Sequence, residues 1–340
     1  MKTNHLVIKR IAYLAFLTFS LFSNVCDAEW MSDIDKKYDK NNPQLYAKVA
    51  QAKDLISSAH GNTDLSYQAL GLLISVIKAD QKFAPAYVQL ARVTSNLGYQ
   101  VNNKFDGTAL QSQEEYVKQA LALEPNYDYA IAMMGYTKMF QGNLDEAEKY
   151  YTQAVGLKSG YPYLKAQMAQ LATKRGNYAK AIELATQGYE QNLSEPKIAA
   201  GTINELIFAY ERLPGDHIKE LEKWQAKRTE LDPSVAWSWG DHARFRLYYL
   251  GDYDNAIKYG TKALSLMNYG VGQYLVAAAY YKKWNELKDV PARKAEAEKA
   301  FKIASTIHPD TADMSDEFMG VPVLRSTGAA LTARRHSGNQ

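Results

Sequence analysis

Apolar residues along this chain follow two patterns. Ile11–Phe22 is a twelve-residue apolar run, IAYLAFLTFSLF. From about Ala50 onward, apolar positions instead recur with the spacing of a helix face, broken by short polar turns. Gly142-Asn143-Leu144-Asp145-Glu146-Ala147 returns as Gly176-Asn177-Tyr178-Ala179-Lys180-Ala181, a shift of 34 residues, and again as Gly251-Asp252-Tyr253-Asp254-Asn255-Ala256. A helical apolar pattern precedes each of these glycines and another follows each alanine. A period in this range marks an array of supersecondary units that bury their apolar faces only by stacking on one another.

The roles of these positions resemble those of the tetratricopeptide repeat, a helix-turn-helix unit of 34 residues. In the unit from Asp128 to Tyr161, the small residue of the first helix is Gly135 and the turn glycine is Gly142. Ala147, Tyr151 and Ala154 mark the second helix, and Ser159 stands where proline is usual. The unit from Ala84 carries Ala91, Gly98, Ala120 and Pro125, with about ten extra residues near 100–109. The unit from Pro162 carries Ala169, Gly176, Ala181, Ala185 and Gly188. The unit from Trp237 carries Gly251, Ala256, Gly260 and Ala263, but bulky Arg244 at the small position. Outer units are looser: Ala69, Leu73 and Val76; then Ala209, Leu221 and Pro233; then Ala278, Ala297, Phe301, Ala304 and Pro309, with a second insertion near 284–294. The resemblance implies an all-α, right-handed superhelical solenoid of about seven antiparallel helix pairs over residues 45–311.

The ends follow different rules. Lys2, Lys9 and Arg10, the apolar run, and the small residues before Glu29 have the order of a secretory signal over residues 1–28. The run is too short for the ~20 residues that span a bilayer. Cys26 is the sole cysteine. Cleavage before Glu29 leaves a chain without thiols, which suits a bacterial periplasm; lipid attachment at Cys26 is the alternative. Residues 29–44 are rich in Asp and Lys and read as a polar linker. Residues 312–340 read as a cap and flexible tail ending near Arg334 and Arg335.

Composition supports helices, with 25 tyrosines but few glycines (20) and prolines (10). The net charge of +3 resides mostly in the leader. A near-neutral mature chain argues against nucleic acid as the partner. No phosphate-binding loop, dinucleotide fingerprint, nucleophile elbow or zinc-binding His-Glu-x-x-His is present. No histidine has a second ligand at metal spacing. Asp241-His242 is the one acid–histidine neighbour pair and reads as a polar surface pair. No enzyme activity, cofactor or metal is expected.

The resemblance places the first helix of each unit on a concave face. Groove candidates are Arg92, Tyr129, Tyr136, Phe140, Tyr163, Lys174, Tyr210, Phe245, Tyr248 and Tyr249, with about half of the tyrosines expected to pack between helices. Tyr136, Gln170 and Tyr210 stand where the family's terminal-carboxylate clamp uses asparagine, which argues against that ligand. The expected function is a non-catalytic scaffold holding a protein partner in envelope assembly or secretion. A carbohydrate-binding module beside an exopolysaccharide export machine is the alternative, since tyrosine serves peptides and sugars alike. The oligomeric state stays open.

Overall fold

The computed structural model describes residues 30–59, 62–102 and 107–307. These are 82% helical and contain no strand. A short α1 (Asp33–Asn41) precedes α2 (Pro43–Ser58) and α3 (Thr63–Ala79). Then come α4 (Ala84–Asn102), α5 (Gly107–Leu123), α6 (Asp128–Phe140), α7 (Leu144–Gly156), α8 (Leu164–Lys174) and α9 (Tyr178–Gln191). The chain continues through α10 (Pro196–Arg212), α11 (Ile218–Leu231), α12 (Ala236–Phe245), α13 (Tyr253–Leu266), α14 (Gly270–Leu287) and α15 (Lys294–Ile307). Among the described residues no helix is long and apolar enough to cross a membrane.

Helices α2/α3, α4/α5, α6/α7, α8/α9, α12/α13 and α14/α15 pack as sequential pairs. The glycine of the repeat explains the sharpness of three of these turns. Gly142, Gly176 and Gly251 have φ of 85°, 76° and 61°, a left-handed conformation that costs a side chain with a Cβ but not glycine. There the chain closes each helix by donating the next N–H back to an open carbonyl: Asn143 to Lys138 O and Asn177 to Ala172 O, both at 2.9 Å. The small residues at the crossings, Ala147, Ala154, Ala169, Ala181 and Ala185, are fully buried. Gly135 lies directly against the ring of Tyr151, a close approach that lets the large side chain fill the space between helices.

The chain divides into two compact units, residues 1–209 and 210–340, the division falling inside α10. In unit 1 one apolar cluster runs from Tyr46 and Val49 through Leu73 to Phe83 and Val93, and a second from Val88 through Tyr127, Met134 and Tyr151 to Leu171. Unit 2 has a smaller cluster around Leu247, Leu275 and Ala278.

Within the expected linker at 29–44, residues 33–41 instead fold as α1. The Ser32 hydroxyl accepts from the Asp35 N–H (2.9 Å), and Asp35 accepts from the Ser32 N–H (3.1 Å), a reciprocal cap that starts the helix. Asp33, Lys36, Lys37 and Lys40 face outward, whereas Asp35 is buried and Ile34 and Tyr38 pack on the core. The insertion near 100–109 lengthens helices: α4 and α5 have 19 and 17 residues, against 13 in each of α6 and α7. The insertion near 284–294 extends α14 to Leu287 and forms a 3-10 turn at Pro291–Arg293. The leader with Cys26, and the C-terminal segment with Pro309, Arg334 and Arg335, lie outside the described residues.

Candidate functional site

In unit 1, three successive first helices repeat one spacing. Gln89, Arg92 and Asn96 on α4, Met133, Tyr136 and Phe140 on α6, and Gln167, Gln170 and Lys174 on α8 stand at i, i+3 and i+7, which places each trio on a single helix face. α6 packs against both α4 and α8. Three of the candidates named from sequence meet here. The rings of Tyr136 and Phe140 lie 4.6 Å apart, and the Lys174 ammonium sits 4.7 Å over the Phe140 ring, within cation–π range. Phe140 is half-buried and Lys174 exposed, so this stack reaches the surface.

Around it the face carries polar side chains. The side-chain oxygens of Gln89, Gln167 and Gln170 are buried, and among the described residues none of them receives a hydrogen bond. A buried amide oxygen without a donor is costly, although the Gln167 amide N–H does donate to the Tyr161 hydroxyl at 3.4 Å. The sequence reading omitted Gln89 and Gln167, although their register with Arg92 and Gln170 was visible. Glu114, on the lengthened start of α5, borders α6: burial opposes its ionisation, but hydrogen bonds from Lys118, Gln141 and Lys138 prevail and hold its pKa at about 2.

Other candidates move inward. Arg92, Tyr129, Tyr136 and Tyr163 are buried. The Arg92 guanidinium donates to Ser57 Oγ at 3.1 Å. Tyr129 and Tyr163 join Tyr127 and Tyr161 in an aromatic cluster that Trp30 covers, 5.5 Å from Tyr129 and 5.3 Å from Tyr161. Tyr129 is a packing residue because Trp30, in the lead-in to α1, lies on it, and Tyr163 packs against Tyr161.

In unit 2, Phe245 and Tyr249 are also buried, stacked on one another at 5.3 Å. Burial and the neighbouring Glu211 carboxylate push Tyr249 up to about 12. Tyr248 and Tyr210 remain half-buried, and Tyr210 lies 5.6 Å from the ring of His217. α12 ends in a π-helical turn, Arg246–Leu250, whose wider winding shifts Tyr248 and Tyr249 out of phase with the preceding helix face. Arg244, too large for the crossing, is accommodated by a buried ion pair: its Nη2 lies 2.5 Å from Glu211 Oε1.

Asp241 and His242 form no dyad. Asp241 accepts from Arg228 at 2.7 Å. His242 is interior rather than on the surface, against the Tyr259 ring at 4.4 Å with Nδ1 3.5 Å from Thr229 Oγ1. Burial, with Arg246 and Arg228 adding to it, lowers its pKa to about 3 and keeps it neutral. Among the described residues no group of three or more His, Cys, Asp or Glu side chains is arranged to hold a metal ion.

No family model matches the sequence, and no curated protein matches it. The fold is similar to several solved structures. The human IFIT1 dimer with m7Gppp-AAAA is 16% identical with a TM-score of 0.55, over 81% of this chain and 63% of that one. The APC/C hetero-tetramer Cut9-Hcn1 is 16% identical with a TM-score of 0.54, over 96% of this chain and 56% of that one. A tetratricopeptide protein of Thermus thermophilus, TTC0263, is 20% identical with a TM-score of 0.41, over 51% of this chain and 87% of that one. This chain thus spans less than two thirds of the IFIT1 and Cut9-Hcn1 chains it matches. Left-handed turn glycines and stacked helix pairs thus give this chain an all-helical fold similar to that of tetratricopeptide arrays.

Proposed function

We propose that the chain is a non-catalytic scaffold and that unit 1 holds an extended segment of a protein partner along α4, α6 and α8. The observation that carries this reading is the Tyr136–Phe140–Lys174 stack beside the unpartnered amide oxygens of Gln89, Gln167 and Gln170. An extended backbone offers N–H donors at regular intervals, and the stack offers an apolar anchor with a cation at its edge. A sugar needs an open aromatic face, whereas Tyr129, Tyr136 and Tyr163 are buried and Phe140 is covered by Lys174, which favours a peptide over a glycan. The near-neutral mature charge gives no support to a nucleic-acid ligand. The setting proposed is the bacterial periplasm, in envelope assembly or secretion, on the strength of the leader-like first 28 residues.

Phe140→Ala and Lys174→Glu test the reading. Each should weaken capture of the crosslinked partner, by about 2 kcal/mol for the aromatic anchor, at temperatures where the variant is still fully folded, with melting unchanged in Lys174→Glu and lowered in Phe140→Ala. Parallel peptide and glycan arrays probed with the wild-type chain separate the two ligand classes. Retention on glycans, lost in Phe140→Ala, would replace the peptide reading by the carbohydrate one.

A further inference from the structure

Helix-pair arrays are held by contacts between adjacent pairs, so their stability is local and their terminal pairs open first. Unit 1 carries a segment that breaks this rule. The backbone carbonyl of Trp30 accepts from the Lys53 ammonium of α2 at 3.0 Å. The Tyr38 ring meets Phe83, just before α4, at 4.9 Å, and its hydroxyl donates to Glu124, after α5, at 3.1 Å. The Tyr127 hydroxyl, just before α6, donates to Asp35 at 2.8 Å. The Trp30 ring reaches Tyr161, in the turn leading to α8. One short stretch therefore touches the first three pairs and the start of the fourth.

We propose that residues 30–41 are a latch that couples these pairs into a single cooperative unit. Two buried charges make the coupling steep. Asp35 is 1% exposed and accepts from the Ser32 N–H, the Ser32 hydroxyl at 2.7 Å and the Tyr127 hydroxyl. Lys53 is 3% exposed and donates to the latch carbonyl. Undocking the latch takes the Trp30 carbonyl from the Lys53 ammonium and the Asp35 carboxylate from the Tyr127 hydroxyl, so partial release is unfavourable and the latch opens only together with the pairs beneath it. It also pins the N-terminal ends of α4 and α6, the helices that present Arg92, Tyr136 and Phe140. This inference stands without the proposed function, because it concerns only the folding of unit 1.

Hydrogen exchange of the full chain tests it, resolved by peptide and compared with Trp30→Ala, Asp35→Asn and Tyr127→Phe. In the wild type, amides from α2 to α7 should show one common level of protection. In the variants, exchange in α2 to α5 should rise by about tenfold or more while α8 and α9 keep wild-type rates, the signature of lost coupling. A wild type that already opens gradually from α2 inward would overturn the proposal, and so would variants that change α2 to α9 uniformly or not at all. If Asp35→Asn does not fold, Trp30→Ala and Tyr127→Phe are read in the same way, since Tyr127→Phe removes only the hydroxyl. Lys37→Ala, which deletes an exposed contact to Glu124, serves as the control and should leave the exchange pattern unchanged.

Discussion

Gly135→Ala probes the helix crossing of the third pair. A Cβ added at Gly135 would stand 2.7 Å from Tyr151 Cε1 and 2.8 Å from Cδ1. That is roughly 1 Å inside a normal carbon–carbon contact of ~3.5–4 Å. Tyr151 is fully buried on α7, so its ring has little room to retreat. Overpacking of this kind costs about 1–3 kcal/mol, and the better helix propensity of alanine returns about 0.5–1 kcal/mol. The net expectation is a loss of about 1 kcal/mol, against the gain expected without the contact. Gly71 on α3 is the matched control: it is exposed, and nothing lies within 4 Å of its added Cβ. Gly71→Ala should therefore gain about 0.5–1 kcal/mol, the propensity effect alone. Urea unfolding followed by far-UV circular dichroism reads both midpoints, and Tyr151→Leu in the Gly135→Ala background should recover part of the loss. If Gly135→Ala matches the wild type, or shifts upward with Gly71→Ala, the close approach of α6 and α7 at Tyr151 is refuted.

Glu211→Gln should destabilise unit 2 by about 3–5 kcal/mol in thermal unfolding, because it leaves the Arg244 guanidinium buried against a neutral amide, while the double change Arg244→Met, Glu211→Met should cost far less. His242 supplies a pH dependence. Its folded pKa of about 3 lies below its ordinary value of 6.5, so the unfolded chain binds the extra proton first. Its contribution is fully present above about pH 6.5 and is lost as pH falls toward 3, by a few kcal/mol, and His242→Phe should flatten that slope in denaturation series run at successive pH values. Intact mass of the exported protein should correspond to a chain beginning at Glu29; a mass retaining residues 1–28 would refute the cleavage reading, and added lipid on Cys26 would establish the anchored alternative.

Much of the architecture was legible because its rules are local. A 34-residue period, small residues at crossings and glycine at the turns state a helix pair within one stretch of chain, and Gly142, Gly176 and Gly251 take the left-handed turn their positions imply. α1 was misread because its composition is that of a solvated segment. What folds it down lies far away in sequence, in the Tyr127 hydroxyl 92 residues from Asp35. Arg244 looked like a flaw in its unit until Glu211, 33 residues earlier, supplied the opposite charge.

The candidate site divides along the same line. Periodicity determined which side chains share a helix face, and so brought Tyr136, Phe140 and Lys174 together. It did not determine what covers that face. Tyrosine is apolar along its ring and polar at its tip, so its place in a pattern is the same whether it lines a groove or fills a core. Trp30 closes over Tyr129 and Tyr161, and the π turn re-aims Tyr248 and Tyr249. Local propensity and spacing therefore set the helices and their faces, while burial was decided only by which distant segment came to rest on each face.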